Sequence, residues 1–250
     1  MNDDELKRLG QQLAEYCEKY LIPLPYVFEI LNDQKVTPMT RGKAMEYNAY
    51  LLLREKLNAR EWSIEKLNLC AQPGHPDEDI SVTHKRTGVI LKVESKSAVR
   101  GSMSCGTRSR ICKEPHFNVK CHRSRSNIKL SGTSNDRYKE DVFDIILTNP
   151  LNALYEKGTI GECLELIRDR GILEVLYRHY NTESEKELLT ECNRDWRFVV
   201  PPSIAIDGYI PRTPVVKLIN DTNWFNIAAL EDAMLRIVKE RTGRGRLSRH

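Results

Sequence analysis

The chain has 250 residues, of which 40% are hydrophobic and 30% are charged, and its formal net charge is +4. This composition is enough for a real core in a soluble protein, and the length suits one large domain or two small ones. No stretch approaches the roughly 20 apolar residues of a membrane-spanning helix, and the acidic Met1–Glu5 segment resembles no targeting peptide. The seven cysteines lack the spacing of a secreted disulfide framework, so we expect reduced thiols, a cytoplasmic location and no membrane partner.

The first 57 residues are predicted to be mainly helical. Apolar residues recur at helical spacing over residues 4–20, and two prolines then separate that helix from a short one over 25–31. Residues 32–39 are expected to be a linker. Thr40 is a candidate N-cap for a longer helix that reaches Leu57.

A β-hairpin is predicted next. Residues 80–82 alternate between apolar and polar side chains, 86–88 have the composition of a turn, and 89–93 are apolar except for Lys92. The second strand is therefore expected to be a central strand, buried on both faces.

Three charged side chains converge if these strands pair about the turn. Asp79 then lies close to Glu94, and Lys96 faces the same side as Glu94 because side chains alternate along a strand. Two carboxylates can hold Mg²⁺ together with waters and a phosphate oxygen, and such an ion polarises a phosphodiester. A neighbouring lysine can steady the attacking water or the developing negative charge.

The identity of the first carboxylate depends on the register of the hairpin. Asp77 follows a proline and competes with Asp79 for the role. The register favours Asp79, whose distance from the turn mirrors that of Glu94, because a slip of one residue reverses the face on which a side chain lies.

Asp79 followed by Glu94-Ser95-Lys96 resembles the PD-(D/E)xK nuclease motif, and the chain resembles a type II restriction endonuclease. The resemblance covers residues 40–149, and it implies an α/β fold whose restriction-endonuclease-like core is a mixed β-sheet flanked by helices. It also implies that Asp79 and Glu94 are metal ligands, with the Ser95 carbonyl as a further ligand, and that Lys96 is catalytic.

A glutamate on the helix before the hairpin often points at the metal site in that family. Glu46 matches this position and is a further candidate catalytic residue. The alternative is an ordinary exposed acid that pairs with Arg41 or Lys43.

The resemblance implies Mg²⁺-dependent cleavage of double-stranded DNA at a short specific sequence, which leaves 5′-phosphate and 3′-hydroxyl ends. A homodimer is expected because a palindromic site matches a two-fold protein. Residues 1–250 would form a single nuclease domain, in which 150–250 supply recognition and dimerisation elements. Two alternatives are a DNA repair or recombination nuclease of the same fold and a non-catalytic DNA-binding regulator.

A basic segment follows the hairpin. Residues 100–129 contain eight basic residues and one acid, a local charge of +7, and are rich in Ser, Asn and Gly. Such residues contact phosphates and base edges, although a solvated loop has the same composition. The candidate DNA-binding residues are Arg100, Arg108, Arg110, Lys113, Lys120, Arg123, Arg125 and Lys129.

Five potential zinc ligands lie in the same segment: Cys105, Cys112, His116, Cys121 and His122. Their spacing is irregular and includes no Cys-x-x-Cys pair, which favours unrelated thiols and histidines over a zinc site.

The rest of the chain is predicted to alternate strands and helices. The expected elements are a strand over 142–148, a helix over 159–170 closed by Gly171, strands over 196–200 and 215–219, and a helix over 226–242. Asp144 interrupts the first of these strands and is either a partner of Lys96 or a salt-bridge acid elsewhere.

Overall fold

The computed structural model describes residues 2–67, 78–105, 114–122, 136–158 and 164–247, with side chains as far as residue 243. The described helices are α1 (Asp3–Lys19), α2 (Val27–Leu31), α3 (Val36–Lys56), α4 (Arg170–Tyr180), α5 (Glu185–Arg194) and α6 (Leu230–Leu247). Within these ranges, no helix combines the length and the apolar character that crossing a bilayer requires.

A six-stranded mixed sheet forms the centre of the molecule. Its strands, in spatial order, are β1 (Trp62–Lys66), β2 (Ile80–His84), β3 (Val89–Ser95), β5 (Ile145–Thr148), β8 (Arg197–Val199) and β10 (Phe225–Asn226). Strands β3 and β5 are parallel, and every other neighbouring pair is antiparallel. Two small antiparallel pairs lie outside this sheet: β4 (His116–Asn118) with β9 (Val215–Lys217), and β6 (Tyr155–Lys157) with β7 (Leu164–Leu166).

Helices cover both faces of the central sheet. Residues of α3 and α6 pack on the face that carries Leu91, Val93 and Leu147. On the opposite face, α4 and α5 pack in the same apolar cluster as Ile146 and Val199. The predicted mixed sheet flanked by helices is therefore confirmed, although two of its strands come from beyond residue 149.

The hairpin adopts the predicted register. Ile80 pairs with Val93 and His84 pairs with Val89, so the turn occupies the four residues between His84 and Val89. Gly88 closes this turn at φ +71°, in the left-handed region that favours glycine. The register places Asp79, one residue before β2, beside the end of β3.

Strand β3 is less buried than the sequence predicts. Ile90 is 54% exposed and Lys92 is also exposed, whereas Leu91, Val93 and Glu94 are buried. The expectation of burial on both faces is wrong for the first half of the strand, because Ile90 packs in neither apolar cluster of the sheet. The half of the strand that leads to the charged cluster is buried.

Asp144 holds the sheet to the last helix. It lies one residue before β5, accepts a hydrogen bond from the Lys92 backbone N–H at 2.8 Å, and forms an ion pair with Arg241 of α6. Arg241 also donates to the Ile90 carbonyl at 2.8 Å. Asp144 is therefore a salt-bridge acid away from Lys96, and the strand predicted from residue 142 begins three residues later.

Helix α3 begins earlier than predicted. Thr40 lies inside the helix, where its hydroxyl donates to the Val36 carbonyl at 3.1 Å, and is not an N-cap. Pro38 is the third residue of the helix, a position whose N–H has no intrahelical partner, so proline is tolerated there. Part of the predicted linker over 32–39 is thus the first turn of α3.

Gly171 is the second residue of a helix and does not close one. Asp169 caps α4 by accepting hydrogen bonds from Gly171 N at 3.0 Å and Ile172 N at 3.3 Å. The prediction of a helix over 159–170 is wrong for residues 164–166, which form β7. Residues 159–163 lie outside the described residues.

Packing of α3 against the sheet can be tested with two leucines two residues apart. Leu53 is fully buried, whereas Leu51 is 57% exposed. We expect Leu53→Ala to lower the free energy of unfolding by about 2–5 kcal/mol, because it removes buried methyl groups and leaves a cavity. Leu51→Ala is the control and should change it by less than about 0.5 kcal/mol. Urea denaturation measures both, and equal losses would contradict the packing of α3.

Candidate active site

Asp79, Glu94 and Lys96 meet at the end of the hairpin, as the sequence predicts. The Asp79 backbone N–H donates to Glu94 Oε2 at 3.2 Å, and Lys96 Nζ forms an ion pair with Glu94 Oε1. Ser95 donates to Asp79 Oδ2 twice, from its backbone N–H at 3.0 Å and from its hydroxyl at 2.9 Å. Contacts across the two strands therefore fix both carboxylates.

The two carboxylates are buried and carry perturbed pKa values. Asp79 and Glu94 are each only 4% exposed. Burial, followed by the charge of Glu46, raises the pKa of Asp79. Burial raises the pKa of Glu94 to about 8 against the opposing effect of Lys96. Burial also disfavours the Lys96 ammonium, but the charges of Glu94, Tyr138 and Asp79 and the hydrogen bond to Glu94 together outweigh it and raise the pKa of Lys96.

Two aromatic residues, Tyr138 and Phe143, contact the Lys96 ammonium in addition to Glu94. Lys96 Nζ lies 3.4 Å from the Tyr138 hydroxyl, 4.7 Å from the centre of the Tyr138 ring and 5.6 Å from that of Phe143. The two rings pack edge to face with their centres 5.0 Å apart. Both rings face the ammonium at cation–π distance, which favours its charged form and restricts its position.

Glu46 lies near this cluster but makes its direct contacts elsewhere. Its Oε2 accepts from Lys43 Nζ at 2.7 Å and from Lys66 Nζ at 2.8 Å. It acts on Asp79 through its charge. The pairing with Lys43 matches the alternative that the sequence left open, while the proximity to Asp79 matches the candidate role. Lys66, the second partner of Glu46, was not expected, because β1 was not predicted from the sequence.

A basic cleft of about 710 Å³ opens beside the cluster. Its basic lining comes from three separate parts of the chain and consists of Arg41, Lys96, Arg100, Lys120 and His122. None of the described residues that line it is acidic. The cleft therefore suits a polyanion, whose phosphates would lie close to the buried carboxylates and Lys96.

Two of the eight candidate DNA-binding residues are described, and both line this cleft. Arg100 and Lys120 are exposed there, 20 positions apart in the sequence. The other six lie outside the described residues, in 106–113 and 123–135, as does Asp77, in 68–77. Their roles stay predictions.

The candidate zinc ligands that are described lie in different environments. Cys121 is fully buried, His116 is buried and bonds to the Glu114 carbonyl at 2.7 Å, and His122 lines the cleft. In the part of the chain that the structure describes, no group of three or more His, Cys, Asp or Glu could hold a metal ion. Cys112 lies outside that part.

The donor set of Asp79 and Glu94 nevertheless fits Mg²⁺. This ion usually takes one or two carboxylates and completes its shell with waters and substrate phosphates, so it does not need three protein side chains. Both carboxylates are buried, and their raised pKa values show that their negative charge is poorly compensated by the protein alone. A divalent cation would compensate it.

The chain matches no protein-family model and no curated protein. Among solved structures it is similar to a bacterial homing endonuclease, I-Ssp6803I, with 14% sequence identity and a TM-score of 0.26. The similarity covers 53% of this chain and 80% of that chain. A TM-score this low establishes neither a shared fold nor a shared activity.

The raised pKa of Glu94 predicts a pH-dependent stability in metal-free buffer. Between its ordinary pKa of 4.5 and about 8, the folded chain holds a proton that the unfolded chain releases. Stability should therefore fall as the pH rises through this window, by up to about 1.4 kcal/mol per pH unit. Glu94→Gln should flatten the profile, which urea midpoints measured from pH 5 to 9 in EDTA will show. The exposed Glu55→Gln should leave it unchanged, and a Glu94→Gln profile parallel to wild type would refute the assignment.

Proposed function

We propose that this protein is a Mg²⁺-dependent endonuclease that cuts double-stranded DNA at a short specific sequence, in the manner of a type II restriction endonuclease. One observation carries the proposal: Asp79, Glu94 and Lys96 meet at the end of a hairpin, with Lys96 lining a basic cleft. Hydrolysis would leave 5′-phosphate and 3′-hydroxyl ends.

The buried cluster divides into metal ligands and a charged donor. Asp79 and Glu94 would hold Mg²⁺, with the Ser95 carbonyl as a further ligand and Glu46 as an outer acid. The bound ion supplies positive charge that stabilises the transition state. Lys96 donates hydrogen bonds to the attacking water or to the phosphate oxygen that gains charge. Tyr138 keeps the Lys96 ammonium directed at the cleft through its hydroxyl.

The basic cleft would hold the DNA backbone. Arg100 and Lys120 are exposed, and each can neutralise a phosphate without reading sequence. Arginine can also bind guanine through two hydrogen bonds in the major groove. Some of Arg108, Arg110, Arg123 and Arg125 would read bases in this way, and the others would hold phosphates together with Lys113 and Lys129.

A non-catalytic DNA-binding regulator would need the cleft but not the buried carboxylates. Burying two acids beside one lysine costs stability, and the raised pKa values of both carboxyls show this cost. A chain that only bound DNA would gain nothing from the arrangement. The cluster therefore favours catalysis.

A homodimer would place one active site on each DNA strand. The N-terminal helices offer a surface for it, because Cys17 is the only buried residue of the 17 in α1. The apolar residues Leu6, Leu9, Tyr16 and Tyr20 recur along one side of this helix and are exposed. An isolated helix of this length is marginal in water, so a second copy that covers this side would stabilise it.

The catalytic assignment predicts that Glu94→Ala and Lys96→Ala each lose at least about 100-fold in cleavage rate, because each removes a preorganised charged group. Both should still bind DNA in Ca²⁺. Lys92→Ala is the matched control, since Lys92 lies on the same strand but its side chain is exposed and its ion pair is with Glu78, outside the cluster. Digestion of a sequenced plasmid with and without Mg²⁺, followed by end mapping, gives the readout. A cleavage rate within a few-fold of wild type in either variant would contradict the assignment of this site.

The cleft assignment predicts that Arg100→Ala and Lys120→Ala weaken binding to all sequences equally. Each should also lower the slope of log K against log salt by about one, since each releases about one counterion fewer. Lys239→Ala, on the exposed side of α6, should do neither. Fluorescence anisotropy at several salt concentrations measures the slopes. An unchanged slope in both variants would show that DNA does not bind in this cleft.

The dimer assignment predicts that wild-type protein sediments as a dimer at the concentrations at which it cuts. Introducing charge with the double substitution Leu9→Glu and Tyr16→Glu should give a folded monomer. Gln11→Glu introduces charge on the opposite, exposed side of the same helix and should leave the dimer intact. Sedimentation equilibrium and circular dichroism provide the readouts, and a monomeric wild type would disprove the dimer.

A further inference from the structure

A second pocket, of about 290 Å³, adjoins the basic cleft. Three residues line both: Arg41, Ser97 and Asn152. One wall is a face of α3, because the residues that it contributes are spaced as neighbours on a helix: Arg41, Ala44, Met45 and Asn48. The opposite wall is the segment after β5 together with Asn193 at the end of α5.

Four asparagines line this pocket, and two of them serve the fold. Asn149 is buried, donates to the Asn193 carbonyl at 3.2 Å and accepts from the Leu151 N–H at 3.3 Å. Asn152 donates to the Ala98 carbonyl at 2.6 Å. Asn149 has a partner for each end of its amide, whereas the side-chain oxygen of Asn152 accepts no hydrogen bond from the described residues.

The other two asparagines have no such role. Asn193 Oδ1 is buried and has no hydrogen-bond partner among the described residues. The Asn48 amide, on the facing helix, is exposed and bonds to no described residue, so it is available to a ligand. A buried acceptor without a donor is costly, so a bound group with an N–H should be favoured at Asn193. Charge is not required of that group, since Arg41 is the only charged side chain among the described residues that line the pocket.

Flat and apolar surfaces complete the pocket. The Arg41 guanidinium stacks on the Tyr155 ring, 4.3 Å from its centre, and both residues line the pocket. Met45 and Leu151 add apolar contacts. Stacked planar groups, side-chain amides and apolar contacts are the combination with which proteins hold an unstacked base.

We propose that this pocket binds a nucleobase of the strand held in the cleft, turned out of the base stack. Asn193 Oδ1 accepts a hydrogen bond from the base, Asn48 pairs with another polar group on its edge, and the Arg41–Tyr155 stack supports its face. The inference rests on the proposed function, because the cleft supplies the sugar–phosphate strand that delivers the base. The shared lining residue Arg41 links the phosphate site to the base site.

Deoxynucleoside 5′-monophosphates are suitable probes, because each carries one base and one phosphate. Saturation-transfer NMR should show transfer to the base protons of at least one of the four. That nucleotide should bind at least fivefold more tightly than deoxyribose 5-phosphate, which has no base. Asn193→Ala and Asn48→Ala should each remove this advantage, whereas Asn223→Ala, an exposed asparagine outside the pocket, should keep it.

Binding of all four nucleotides no tighter than deoxyribose 5-phosphate would overturn the base site, as would an advantage that both pocket variants retain. Thermal unfolding separates a damaged fold from a lost contact: Asn193→Ala should melt no lower than wild type, since it removes an unpaired oxygen. Mg²⁺-dependent cleavage of plasmid by the wild-type protein is measured in parallel. Cleavage without base binding refutes this inference alone, and base binding without cleavage refutes the proposed endonuclease alone.

Discussion

The hydrogen bonds between Asp79 and Ser95 are the constraint on which the candidate site depends. They tie the residue before β2 to the last residue of β3, so both ends of the hairpin are fixed where the carboxylates meet. Lys96 follows directly, and its backbone N–H donates to the Leu147 carbonyl of the parallel strand β5 at 2.8 Å. One side of the charged cluster is thus fixed by the hairpin and the other by the parallel pair.

The negative charge of the cluster exceeds its positive charge. Two buried carboxylates share one lysine at close range, and the acid of Glu46 adds to the imbalance. The protein compensates Lys96 well, with a carboxylate, a hydroxyl and two aromatic faces, but it compensates Asp79 and Glu94 poorly. Without an added cation the poorly compensated carboxylates therefore destabilise this end of the sheet. Such local destabilisation is common where binding or catalysis requires charge in a fixed place.

The sequence was sufficient to predict the hairpin and its charged end, because both depend on local rules. Alternation, turn composition and strand register together placed Asp79 beside Glu94. Tyr138 was not predictable as a partner of Lys96, because it lies 42 residues away in a segment without regular periodicity. Strand β1, with Lys66, was missed although its residues alternate, because the alternation includes only two apolar residues, Trp62 and Ile64. Ser184 and Glu187 do carry a local signal for α5, a capping box that the structure contains.

The contacts of α6 have a consequence for synthesis on the ribosome. Arg241 bonds to Asp144 and to the Ile90 carbonyl, and Leu230 and Met234 are buried against the same sheet. The strand that carries Glu94 is therefore packed by residues made about 140 positions later in the chain. A nascent chain that already exposes the whole charged cluster still lacks the helix that packs its sheet. The packing around the cluster is therefore completed only after α6 has emerged from the ribosome, about 140 residues after Glu94 has been made.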